Sequence, residues 1–183
     1  MIRSGLLLLL ALVLALPLTA QQLKGWVTFT DSLGATYVLP LAPTTQRIVN
    51  DDPSGTMLAY IHQSVDEAAP DQPAGVVQSG SFELNDAVDA WPDAFAEGLF
   101  EGYIRSFQGS SEAVAELVSD SSRHGMITRR YRNAEGSPFA FRLEIYVDPL
   151  APRFYSMLLL STDEAVLEPF AEPFFAAAKF PNH

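Results

Sequence analysis

The chain has 183 residues, with 22 acidic side chains against 11 basic ones and no cysteine. A net charge of −11 makes nucleic acid a poor partner, because affinity for it is dominated by cationic contacts to phosphate. Without a thiol there is no disulfide, no thiolate metal site, no cysteine nucleophile and no lipid attachment at a processed N-terminus. Stability has to come from packing, to which 12 Phe, 6 Tyr and 2 Trp contribute.

In chain order the first element is a leader. Arg3 forms a short positive region, Leu6 to Leu16 an apolar run, and Pro17-Leu18-Thr19-Ala20 a helix-breaking exit that ends in a small residue. This is the pattern of a cleaved secretory signal peptide. It predicts a secreted or periplasmic protein in which residues 1–20 are removed and residues 21–183 form a single α+β domain. A spanning helix needs about 17–25 apolar residues, and Pro17 with the polar Gln21-Gln22 argues against a retained anchor. No membrane contact is expected after cleavage. Loss of Arg3 makes the mature chain more acidic still, while Arg123, Arg129, Arg130, Arg132 and Arg142 concentrate its positive charge in one stretch.

Trp26 to Phe29 and Thr36 to Leu39 read as strands joined by the Asp31-Ser32-Leu33-Gly34 turn, an opening hairpin ended by Pro40. Thr45 to Val49, Met57 to His62 and Ala74 to Glu83 are further strands, with a turn at Asn50 to Gly55 and an exposed loop from Val65 to Pro73. A helix is predicted from Asn85-Asp86 or, given Pro92, from near Trp91. Val88, Trp91, Phe95, Leu99, Phe100, Ile104 and Phe107 give it one broad apolar face, and Gly98 and Gly102 would allow close approach to a sheet. Gly109-Ser110-Ser111 closes it.

The remainder is strongly β. Ala113 to Val118 leads to a polar turn at Ser119 to Ser122, and Met126 to Arg132 to a turn at Asn133 to Gly136. From Phe139 to Asp148 the alternation puts Phe141, Leu143 and Ile145 on a core face and Arg142, Glu144 and Tyr146 on a polar one. Phe154 to Leu160 is nearly all apolar, as a central strand buried on both faces would be. Thr162 is predicted to cap a last helix containing Pro169 and Pro173. Hairpin spacing without helical crossovers implies a mainly antiparallel sheet covered by two helices.

The opening Trp26 to Pro40, a hairpin running into a strand that ends in proline, and the closing Phe174-Phe175-Ala-Ala-Ala-Lys-Phe180 resemble the PsbP-like superfamily. That superfamily includes an extrinsic subunit of the photosynthetic oxygen-evolving complex, a Ran-binding nuclear import factor and many secreted bacterial proteins. Its last helix commonly closes with a Ser-Phe-Lys-like tail, from which Ala177-Ala178-Lys179-Phe180 departs. The resemblance implies an α/β/α sandwich that works by binding or assembly rather than catalysis, and no functional residue carries over from it.

Candidate chemistry is sparse. His62, His124 and the terminal His183 belong to no short-spaced metal pair, and Asp51-Asp52 near Gly55 lack the spacing of a calcium loop. There is no Gly-x-Ser-x-Gly elbow, and Glu97 and Glu101 read as a solvated helix pair rather than an acid/base pair. No catalytic residue, metal ligand or cofactor is assigned. The arginines carry the one functional expectation: Arg130 and Arg132 fall on one face of their strand and Arg142 on the polar face of the next. Pairing would gather three guanidinium groups into a site for a small anionic ligand or an acidic extracytoplasmic protein. The expected function is a non-enzymatic binding or assembly factor; the alternatives are a calcium-binding accessory module and a hydrolase without a recognisable motif.

Overall fold

The structure is a computed structural model that describes residues 23, 25–52, 55–65, 72–84 and 93–181. The leader at residues 1–20, the Asn85-Asp86 helix start and most of the Val65 to Pro73 loop lie outside the described residues. Strands β1 (Val27–Thr30) and β2 (Thr36–Leu39) form the opening hairpin. Asp31 builds its turn, since Oδ1 accepts from the amides of Leu33 at 2.8 Å and Ala35 at 3.0 Å, while Gly34 takes the positive φ of 87°.

The main sheet holds β3 (Thr44–Asp52), β4 (Gly55–Ser64), β5 (Ala74–Leu84), β6 (Ala115–Arg123), β7 (Met126–Asn133), β8 (Ala140–Val147) and β9 (Arg153–Ser161). Their order is β3-β4-β5-β9-β8-β7-β6, and every neighbouring pair is antiparallel. Helix α1 (Asp93–Ser111) packs on the face that carries Phe141, Leu143 and Ile145. Helix α2 (Glu164–Ala177) and the hairpin pack on the other, against Tyr146, Tyr155 and Met157. The architecture is the predicted antiparallel α/β/α sandwich. β9, whose run from Phe154 to Leu159 is buried throughout, is the middle strand of the seven.

Four local expectations change. The polar stretch Ser119 to Ser122 is not a turn; β6 runs through it, with a register shift between Leu117 and Ser119, and the chain reverses at His124-Gly125. Both of those residues have positive φ, 54° and 73°, the geometry that a two-residue hairpin turn needs. An edge strand has one free side in water, so serines and Asp120 cost it little. The cap of α2 is Asp163 rather than Thr162, its carboxylate accepting from the amide of Ala165 at 2.9 Å. Gly98 and Gly102 do not bring α1 close to the sheet, because an added Cβ at either would meet nothing within 4 Å. Close approach is instead required at Gly80, where a Cβ would stand 2.0 Å from the ring of its cross-strand partner Phe154.

The fourth change concerns β8. Its second face is polar but not solvated: Glu144 and Tyr146 are fully buried, and the Arg142 side chain is only 12% exposed. The alternation identified two faces correctly, but α2 covers the polar one and supplies carboxylates to its guanidinium groups.

Phe180 closes this side, its ring among those of Tyr37, Tyr146, Tyr155 and His124. Burial holds the phenols of Tyr37 and Tyr146 well above their ordinary pKa and pushes Tyr155 up to about 12. A buried phenol is neutral when protonated, so the stability linked to these groups is complete below the unfolded value of about 10 and is lost as pH rises through the folded values. The native fold should therefore unfold cooperatively in alkali, with the tyrosinate absorbance of these rings appearing together with the loss of circular dichroism. A smooth titration near the ordinary value with the fold intact would show that these phenols reach water.

Candidate functional site

The register pairs Arg130 with Glu144 and Arg132 with Arg142, so the three arginines do share one face of β7 and β8. Helix α2 lies along that face with Glu164, Glu168 and Glu172 at four-residue spacing, which places them on one side of the helix. Arg142 donates through Nη2 to Glu164 at 2.6 Å and to Glu168, and through Nη1 to Asn133 and the carbonyl of Phe141. Its bond to Glu164 holds that carboxyl below the ordinary range. Arg130 bridges Glu172 at 2.5 Å and Glu144 at 2.6 Å.

Glu144 is the centre of this network. Its Oε1 also accepts from Arg123 at 2.7 Å, and its Oε2 accepts from the Tyr146 hydroxyl. Two guanidinium groups and a phenol thus meet one carboxylate that has no contact with water. Arg132 differs from the other two: half exposed, it donates through Nε to Glu116 at 3.1 Å on the edge strand β6. Arg129 points to the opposite face, bonded to Glu97 and Asp120 and lying 4.7 Å from the ring centroid of Phe100. Its bonds to Glu97 raise its pKa further.

The histidines are engaged elsewhere. His62, buried under Phe29 of the hairpin, meets the Thr45 hydroxyl at Nδ1, 2.9 Å away. Burial lowers its pKa. Its Nε2 and the buried Ser79 Oγ both lack a hydrogen-bond partner among the described residues, yet no bond joins them and no carboxylate orients the ring. That differs from a nucleophile, base and orienting acid in sequence. His124 Nε2 lies 3.2 Å from the carbonyl of Phe175, tying the β6–β7 turn to α2. Asp51 accepts from the Thr56 hydroxyl at 2.8 Å, and among the described residues no three histidine or acidic side chains converge as metal ligands would.

A feature that sequence reasoning missed lies on the other face. Helix α1 packs through Phe100 and Phe107 onto β7 and β8, and its start meets β5 where Phe95 and Phe82 stand edge to face with centroids 4.9 Å apart; beyond that contact its flank overhangs β3, β4 and β5, leaving a groove of about 660 Å³. The helix side of the groove presents Gly102, Tyr103, Ser106 and Ser110. The sheet side presents Ile48, Asn50, Met57, Gln78, Phe82 and Phe154. Tyr103 forms the floor, its hydroxyl 2.8 Å from Ser156 Oγ and its pKa raised by burial. The visible sequence signal is a stripe of small residues, Gly102, Ser106 and Ser110, beside the apolar stripe of the same helix.

No family model and no curated protein sequence matches this chain. Its fold is similar to that of the solution structure of cyanobacterial PsbP (CyanoP) from Synechocystis sp. PCC 6803, with a TM-score of 0.52 over 85% of this chain and 92% of that one. Identity is 10%, so the similarity establishes a PsbP-like fold and nothing about the residues of a site.

Proposed function

We propose that the protein is a non-enzymatic extracytoplasmic binding or assembly factor, whose partner is an acidic protein surface or a small anionic ligand that meets the arginine face at Arg132. The observation that carries this reading is the Arg132–Arg142 cross-strand pair. Like charges directly opposite one another destabilise a sheet, and burial of Arg142 under α2 requires only one of them. Arg130 and Arg142 are held by the glutamates of α2, which leaves Arg132 as the half-exposed guanidinium that an incoming carboxylate can take from Glu116. Glu116, Glu144, Glu164, Glu168 and Glu172 balance the arginines of this face, so the contact offered to an anionic partner is the Arg132 guanidinium itself rather than a broad positive field. A location outside the cytoplasm is supported by the leader pattern of residues 1–20. No helix among the described residues is long and apolar enough to cross a membrane.

The test uses Arg132→Ser, which leaves the α2 ion pairs in place, in parallel with the unaltered protein. Pull-downs from the native extracytoplasmic fraction should lose their partner in the variant, and capture by the unaltered protein should weaken as salt rises. Recovery of the same partner by both proteins with the same salt dependence would remove the arginine face from the reading. Turnover of ester, phosphate or glycoside substrates that a His62→Gln, His124→Gln double variant abolishes while keeping its fold would make the protein an enzyme.

A further inference from the structure

The groove beside α1 is a second site, on the opposite face of the sheet from the arginines. We infer that it binds a neutral amphiphile: an apolar body lying along Met57, Phe82 and Phe154, with an uncharged hydroxyl, amide or carbonyl group meeting Asn50, Gln78 and Ser106. This inference goes beyond the arginine-face reading and stands on separate residues.

Three observations support it. The first is size, since about 660 Å³ falls within the range of about 300–1,000 Å³ typical of small-molecule sites. The second is charge: on a chain with 22 acidic and 11 basic side chains, none of the described residues lining this groove is ionised in the neutral range. Asn50 and Ser106 are exposed and Gln78 is half-buried, so a carboxylate or ammonium there would lose part of its water without gaining a counter-charge, whereas an uncharged polar group finds amides and hydroxyls. The Asn50, Gln78 and Ser106 side chains make no hydrogen bond to another described residue, so their polar atoms are available.

The third is the vacancy itself. Gly102 and Ser106 stand where larger helix residues would close the gap, and a Cβ at Gly102 would meet nothing within 4 Å. Fold stability does not ask for that glycine, because glycine in a helix interior costs about 1 kcal/mol relative to alanine. Gly98, one turn earlier, has equally open space but does not line the groove. It provides the control.

The experiment titrates the mature protein with Nile red, a neutral solvatochromic dye, and displaces it with decanol, decanoate or decylammonium. Saturable binding with a blue-shifted emission is expected, with decanol displacing the dye and each charged analogue weaker by about tenfold or more. Gly102→Leu should weaken dye binding by about tenfold or more, while Gly98→Leu stays within about twofold of the unaltered protein. Circular dichroism melting confirms that both variants fold; if Gly102→Leu melts early, Ser106→Leu fills the same wall and gives the same readout. Absence of saturable uptake, displacement by decanoate as effective as by decanol, or unchanged affinity in the folded filling variant would each overturn the inference. None of these results bears on Arg132, so failure here and failure of the arginine-face reading are distinguishable.

Discussion

Glu144→Ala should lower stability by about 3–5 kcal/mol in chemical denaturation, the loss characteristic of removing one partner from a buried ion pair. The carboxylate is fully buried and is shared by Arg123, Arg130 and the Tyr146 hydroxyl. Its removal leaves the Tyr146 hydroxyl without its acceptor in a desolvated place and leaves both guanidinium groups dependent on Glu172, which is 63% exposed. Glu144→Gln separates charge from shape, because the amide fills the same volume but cannot neutralise either arginine; it should fall between Ala and the unaltered protein. In the double variant Glu144→Ala, Arg130→Ala the losses should be less than additive, since the second change removes a charge that the first had stranded. A loss below about 1 kcal/mol for Glu144→Ala would place water around the carboxylate and would reduce the network to surface pairing.

That network explains why the architecture was legible in the sequence while the role of β8 was not. Strict alternation from Phe139 to Asp148 marks a strand, and the continuous apolar run from Phe154 to Leu160 marks the strand buried on both sides, because each pattern is a local consequence of two-residue periodicity. Periodicity identifies which residues share a face but not what covers that face. Arg142, Glu144 and Tyr146 look like a wet surface until Glu164, Glu168 and Glu172, some twenty or more residues later, supply the partners that make burial tolerable.

The β6–β7 turn failed for a related reason. Ser119 to Ser122 has stronger turn composition than His124-Gly125, but edge position and the Asp120–Arg129 ion pair sustain the strand through it. Among the site residues, the common face of Arg130, Arg132 and Arg142 could be read from strand parity, whereas their occupancy by α2 could not. The groove was harder still. It is bounded by residues from Ile48 to Phe154, and only the Gly102, Ser106, Ser110 stripe is local enough to be visible in one segment.

Phe180→Ala is expected to cost about 3–5 kcal/mol, the usual loss for truncating a buried aromatic ring. The ring is 5% exposed and has centroids at 4.7 Å from Tyr155, 4.9 Å from Tyr146, 5.6 Å from His124 and 6.4 Å from Tyr37. It thereby joins β8, β9, the β6–β7 turn and the opening hairpin at one point. The preceding residue is fixed by backbone bonds in both directions, Thr36 N to Lys179 O at 2.8 Å and Lys179 N to Thr36 O at 2.9 Å. Losing the ring should therefore loosen the hairpin as well as the chain end, and the Thr36 and Lys179 amides should exchange faster than amides of β9 in the same variant. Phe180→Leu, which refills much of the volume without the aromatic edge contacts, should recover part of the loss, while Leu150→Ala at a position 78% exposed should stay within about 0.5 kcal/mol of the unaltered protein. If Phe180→Ala matches Leu150→Ala in denaturation, the terminal segment is not part of the cooperative core and the aromatic cluster is held by β8 and β9 alone.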